Sequence, residues 1–159
     1  MFPYIRCNFS GFQEAFLGQK FAIILDMVPY DNKRYQYVYH RFSWLVAGKA
    51  DPPPPKSQYL HPDSPFSIQR SDQILSVSFE KVKLANSEAN KSDEQIMLNY
   101  WQKFQPRIHL ALVDDSWNCS YGTPDLHKVK HKTFSFELTS FIAVNAYQNQ
   151  LISMCKISM

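Results

Sequence analysis

The residue types in this sequence that could do chemistry fall into two groups, one poor in precedent and one richer. His127 and His131 stand four apart with Cys119 upstream, but a zinc site needs a fourth ligand and normally a second close pair. Asp114 and Asp115 form a carboxylate pair that reads as a solvated turn at a strand end. His61 lies between turn residues and suits a structural hydrogen bond. His109, near Arg107, reads as a satisfied histidine at a sheet edge. No nucleophile elbow, zinc-helix pair, phosphate loop or paired-glycine fingerprint occurs. The chain is therefore expected to be no enzyme and to need no cofactor or metal.

The second group is cationic. Lys81 and Lys83 alternate and would share one strand face. Lys103 and Arg107 bracket Phe104-Gln105-Pro106 and would flank a bend. Lys128, Lys130 and Lys132 alternate, so a strand there would show three ammonium groups on one face. Such donors are what phosphate recognition requires, because each neutralised phosphate releases counterions. Lysines on a strand also guard an edge against aggregation, and both readings stand for Lys128 to Lys132.

Short strands must position these groups. Phe21 to Leu25 is an apolar run; Tyr35 to Tyr39 and Phe42 to Val46 alternate, and their aromatic residues read as core. Ile74 to Leu84, Ile108 to Val113, Thr133 to Leu138 and Phe141 to Val144 read as strands, as does Gln95 to Phe104. Pro52 to Pro55 is an extended connector, and His61-Pro62-Asp63-Ser64-Pro65 a tight turn. One helix is expected at the end, capped by Asn149 with Ile152, Cys155 and Lys156 on helical spacing. About seven strands separated by turns point to a β-sandwich.

Bulk composition agrees. The chain has 159 residues, 45% hydrophobic and 15% aromatic, enough for one domain with a real core and too apolar for disorder. The apolar runs are far shorter than the roughly 20 residues of a membrane span. No signal pattern opens the sequence, and three scattered cysteines (Cys7, Cys119, Cys155) suit a reducing compartment. The net charge of +3 is mild but unevenly spread. Cations outnumber anions seven to four in residues 1–60 and four to two in 116–159, while anions lead eight to six between them. Two basic chain ends meeting on one face would make a patch that the total conceals.

The order of segments resembles the T-box domain over essentially the whole chain. The matching pieces are Met1-Phe2-Pro3, Gly11, Trp44-Leu45-Val46-Ala47-Gly48-Lys49-Ala50-Asp51 and the His61 to Pro65 turn. Lys83-Leu84-Ala85-Asn86, Gln105-Pro106-Arg107-Ile108-His109 and Ala146-Tyr147-Gln148-Asn149 complete them. The resemblance implies an all-β, immunoglobulin-like Greek-key sandwich with a short C-terminal helix, forming one domain over residues 1–159. It implies a nuclear transcription factor domain that reads a TCACAC-type element in double-stranded DNA and regulates RNA polymerase II transcription. Homodimers on palindromic sites and co-regulator partners are also implied. By matching segment, the DNA-binding residues would be Gly11, Lys81, Lys83, Lys103, Arg107, Asn145, Tyr147, Gln148, Asn149 and Lys156. Lys83, Arg107 and Lys156 would meet phosphates, which position without specifying. The family's arginines before Met-Phe-Pro and its minor-groove helix after the Lys-Ile segment are not in this sequence, so a chain cut short or lacking those contacts is expected. The alternative is a β-sandwich that has lost strong DNA binding and serves as a protein-interaction module.

Overall fold

The apolar run at residues 21–25 becomes the centre of the longest strand. In the computed structural model, which describes residues 4–55, 58–86 and 92–144, β2 (Lys20–Val38) spans 19 residues. It joins two segments that the sequence presents as separate strands. Pro29 sits at the join, and the pairing register slips between Pro29 and Arg34, so the strand continues across a local irregularity. The lower half pairs with β9 (Gln102–Val113) on one edge and with β4 (Gln58–Leu60) and β5 (Phe66–Ser67) on the other. The upper half pairs with β3 (Ser43–Lys49).

β9 carries β10 (His131–Phe134) and β11 (Phe141–Ile142) on its far edge, completing a seven-stranded sheet. Proline is rarely tolerated inside a sheet because it lacks an N–H. Pro106 escapes this rule by position. β10 pairs with Ile108 to Ala111 and β11 with Lys103 and Phe104, so Pro106 falls in the gap between them. Gln105 spans that gap, its Nε2 donating to Phe136 O at 2.9 Å and Thr139 Oγ1 at 3.1 Å.

The second layer is two short pairs, β1 (Arg6–Phe9) with β6 (Leu75–Ser78), and β7 (Lys83–Ala85) with β8 (Gln95–Met97). Alternation puts Phe21, Ile23 and Leu25 of β2 against Phe9, Val77, Phe79, Val82 and Ile96, with Tyr59 and Ile108 beside them. Each such side chain contributes roughly 1.5–3 kcal/mol through burial. The result is the immunoglobulin-like β-sandwich that strand spacing and resemblance led one to expect. The expected C-terminal helix lies outside the described residues.

Gln95 to Phe104 is not one strand: it divides at residues 98–101 into β8 and the start of β9, and Phe141 to Val144 ends as a strand at Ile142. Three further strand boundaries differ from expectation. Ile74 to Leu84 breaks at Glu80 and Lys81, which form a turn, so Lys81 and Lys83 do not share a strand face. Lys128 and Lys130 lie in the turn before β10, leaving Lys132 as the one strand lysine of that trio. Thr133 to Leu138 ends at Phe134 and gives way to a 3₁₀ turn, Glu137–Thr139. The aromatic stretch from Tyr35 to Trp44 is a further correction. It forms a β2–β3 ribbon projecting from the sheet, with Tyr39, Phe42 and Trp44 exposed rather than in the core.

Candidate nucleic-acid interface

Two charged residues organise the middle of the main sheet. Asp26 ends the apolar run of β2 and stands directly opposite Arg107 of β9, with Ile24 opposite His109. Directly paired residues share a face, so Asp26, Arg107 and His109 converge. Arg107 donates from Nε to Asp26 Oδ1 at 3.0 Å and from Nη2 to Oδ2 at 2.8 Å, a bidentate fork. His109 Nε2 lies 3.0 Å from the same Oδ2, and its Nδ1 lies 2.8 Å from Thr133 Oγ1. His109 is buried on an interior strand, so the edge position expected for it is corrected.

Asp26 is only 2% exposed. Burial alone raises its carboxyl pKa. Hydrogen bonds from His109 and Arg107, with their charges, more than offset this and hold it at about 2 against an ordinary 3.8. The unfolded chain therefore binds the proton more readily than the folded one. The stabilisation is complete above about pH 4 and is lost as pH falls through about 2. Acid titration of unfolding free energy over that window is expected to show a loss of about 2 kcal/mol that Asp26→Asn lacks. An unchanged slope in the variant would detach Asp26 from acid stability.

The remaining cations are placed differently. Lys103, at the start of β9, sits with its Nζ 3.8 Å from the Tyr30 ring centroid, and Tyr30 OH donates to Glu137 at 2.8 Å. No bend separates Lys103 from Arg107, because β9 runs straight through both. Lys83 opens β7, its Nζ 3.5 Å from Glu94 on the exposed surface. Lys81 is exposed in the turn and has no ion-pair partner among the described residues. Gly11 has φ +72°, a left-handed conformation that favours glycine, and a Cβ there would meet nothing within 4 Å. Its backbone is thus open to an approaching ligand. Gly11 and Lys81 leave the β1–β6 pair at opposite ends, since Phe9 faces Leu75 and Arg6 faces Ser78.

β11 sets where the chain enters its last segment. Ile142 pairs with Lys103, and Ala143 exchanges backbone bonds with Trp101 and Gln102. The described chain ends at Val144, two residues beyond the one paired with Lys103. Asn145, Tyr147, Gln148, Asn149 and Lys156 all lie outside the described residues. Sequence reasoning missed Asp26, Tyr30 and Thr133. The signal for Asp26 was a lone carboxylate ending an apolar run, which burial forces to find a cation.

The T-box family model matches residues 1–159 in full. The chain belongs to the T-box family. It is 49% identical over 158 residues to T-box protein H15 of Drosophila melanogaster, covering 99% of this chain and 24% of that protein. It is 49% identical to T-box transcription factor TBX20 of Xenopus tropicalis, covering 99% of this chain and 34% of the relative. T-box transcription factor TBX18 of Homo sapiens is 43% identical over 157 residues, 99% of this chain and 25% of that protein. The chain thus spans about a quarter to a third of these T-box relatives.

Within the T-box fold, the His61 to Pro65 turn is a packing device. His61 Nδ1 accepts from the Asp63 N–H at 3.2 Å, so its proton is on Nε2, which donates to Ser78 O at 3.1 Å. Ser64 Oγ accepts from the Ile23 N–H at 3.1 Å. Asp114 is likewise structural, its Oδ1 closing a turn with Ser116 N at 3.0 Å.

Proposed function

We propose that this T-box domain, residues 1–159, is a sequence-specific duplex-DNA-binding module of a nuclear transcription factor that regulates RNA polymerase II transcription. The supporting observation is the match of the whole chain to the T-box family, with relatives named as transcription factors. The reading is non-catalytic: the buried His61, His109 and Asp26 are all committed to hydrogen bonds within the fold.

The proposed interface combines Lys81, Lys83 and Lys103 as phosphate contacts with the open backbone at Gly11. Asn145, Tyr147, Gln148, Asn149 and Lys156 are proposed to carry the reading segment. Arg107 has a dual part. Two of its five N–H groups are held by Asp26, and three remain to meet a phosphate. Because Asp26 neutralises it, Arg107 is expected to add less than one full charge to the salt dependence. Lys103→Ala should remove close to one.

The test is fluorescence anisotropy of a labelled TCACAC duplex and a scrambled duplex across a salt series. The expected result is at least about tenfold preference for the element and a steep negative slope of log K against log salt. Equal, weak binding to both would instead support a T-box sandwich that serves as a protein-interaction module. Homodimers on palindromic duplexes would appear as a second, cooperative complex in the same experiment.

A further inference from the structure

The β2–β3 ribbon has no part in the proposed DNA interface, yet it carries a run of exposed apolar side chains. β3 is the terminal strand of its sheet, with β2 on one edge and, among the described residues, no backbone hydrogen bond on the other. Phe42 is 85% exposed, Val46 56%, Leu45 44% and Trp44 40%. Natural sheets usually guard such an edge with charges, proline or a covering loop. β3 has its one charge at the last position, Lys49. At the tip, Phe42 takes φ 49°, a left-handed conformation that is costly for a residue of this kind, and it leaves the ring outward.

The ribbon's charges indicate what covers it. Lys33 and Lys49 stand directly opposite each other at its base, an unfavourable like-charge pair. Arg41 lies at the other end, beside the tip. None of the three has an ion-pair partner among the described residues. Arg34 is the one ribbon cation neutralised, by Asp51 at 3.0 Å. A segment lying along β3 would meet aliphatic and aromatic side chains at the middle and cations at both ends. Ser43 to Lys49 is about 20 Å of strand, which about seven extended residues match, with Arg41 just beyond its start.

We propose that the free edge of β3 is a β-addition site for an extended segment of another protein, with alternating aliphatic residues in the middle and acidic residues at both ends. Main-chain hydrogen bonds would supply affinity and the flanking charges the choice of partner. A second copy of this chain fits less well, because it would bring Lys33, Arg41 and Lys49 against their own kind. A nucleic-acid backbone would answer the cations but leave the edge amides and carbonyls unpaired.

The test uses the full chain and a fluorescein-labelled peptide of sequence DEVTVTVED, with KKVTVTVKK as the charge-reversed control. Saturable binding of the acidic peptide, at least about tenfold tighter than the control, is expected. Amide exchange at Leu45 to Gly48 should slow on binding. Val46→Asp should weaken the peptide by about tenfold or more, with an unchanged unfolding midpoint and unchanged duplex affinity, while Val46→Thr should bind as the parent does. The proposal is overturned if the acidic peptide fails to bind, or binds without slowing β3 exchange. It is also overturned if sedimentation shows a dimer that Val46→Asp disperses, which would assign the edge to a second copy. Loss of duplex affinity in a folded Val46→Asp variant would overturn it too, by making the ribbon a nucleic-acid surface.

Discussion

Asp26→Ala is expected to cost about 3–5 kcal/mol of folding free energy, the range for removing one partner of a buried ion pair. The carboxylate is 2% exposed and receives two bonds from Arg107 and one approach from His109. Deleting it leaves a guanidinium and an imidazole facing a methyl group in the middle of the main sheet. The cost is therefore mainly that of orphaned donors, not of a lost attraction. A paired variant separates the two. Asp26→Leu with Arg107→Met replaces the pair by apolar groups of similar volume, and such replacements are often neutral. Urea unfolding should then show Asp26→Ala with a lowered midpoint and unchanged slope, and the double variant recovering the Arg107 share of the loss while His109 Nε2 stays without its carboxylate. A cost below about 1 kcal/mol for Asp26→Ala would mean that water reaches the pair and that it behaves like a surface bridge.

This network also shows what the sequence made legible. The apolar run Phe21 to Leu25 and the alternation at Leu75, Val77 and Phe79 correctly marked strands that face each other in the sandwich, because an apolar run and a period of two are local properties. Pairing is not local. Nothing near Asp26 announces Arg107, 81 residues away, and only the β2–β9 register brings them face to face. The strand over Lys128 to Lys132 held only in part: Lys130 still bonds β9, its carbonyl accepting from Leu112 N at 2.8 Å, but Lys128 turns away, its N–H bonding back to Asp125 O at 2.9 Å. The ribbon failed in the opposite sense. Tyr37 packs on Tyr39 and Trp44, with centroids 5.0 and 5.1 Å away, so aromatic alternation was satisfied without a core beneath it. The cationic residues of the candidate interface could be named from the sequence, but their partners could not. That Lys103 faces Tyr30 and that Lys83 faces Glu94 depends on contacts between separate elements.

Phe79→Ala is the second change expected to cost about 3–5 kcal/mol, here through lost burial and a residual cavity. Phe79 is fully buried at the join between the two layers. Its ring meets Tyr59 edge-on with centroids 6.1 Å apart and His61 with centroids 5.6 Å apart, and its N–H bonds to Ile5 O at 2.9 Å. The His61 to Pro65 turn thus closes over Phe79 while its own Ser64 holds β2 at Ile23. Phe42→Ala, by contrast, should change stability by no more than about 0.5 kcal/mol, because that ring touches little and lies in solvent. The coupling between turn and core can be measured directly. In a double-mutant cycle, Phe79→Ala and His61→Ala should fall short of additivity by about 0.5–1.5 kcal/mol, the range for an aromatic contact. Additive losses would mean that the turn packs without the ring, and that the motif's histidine acts only through its bond to Ser78.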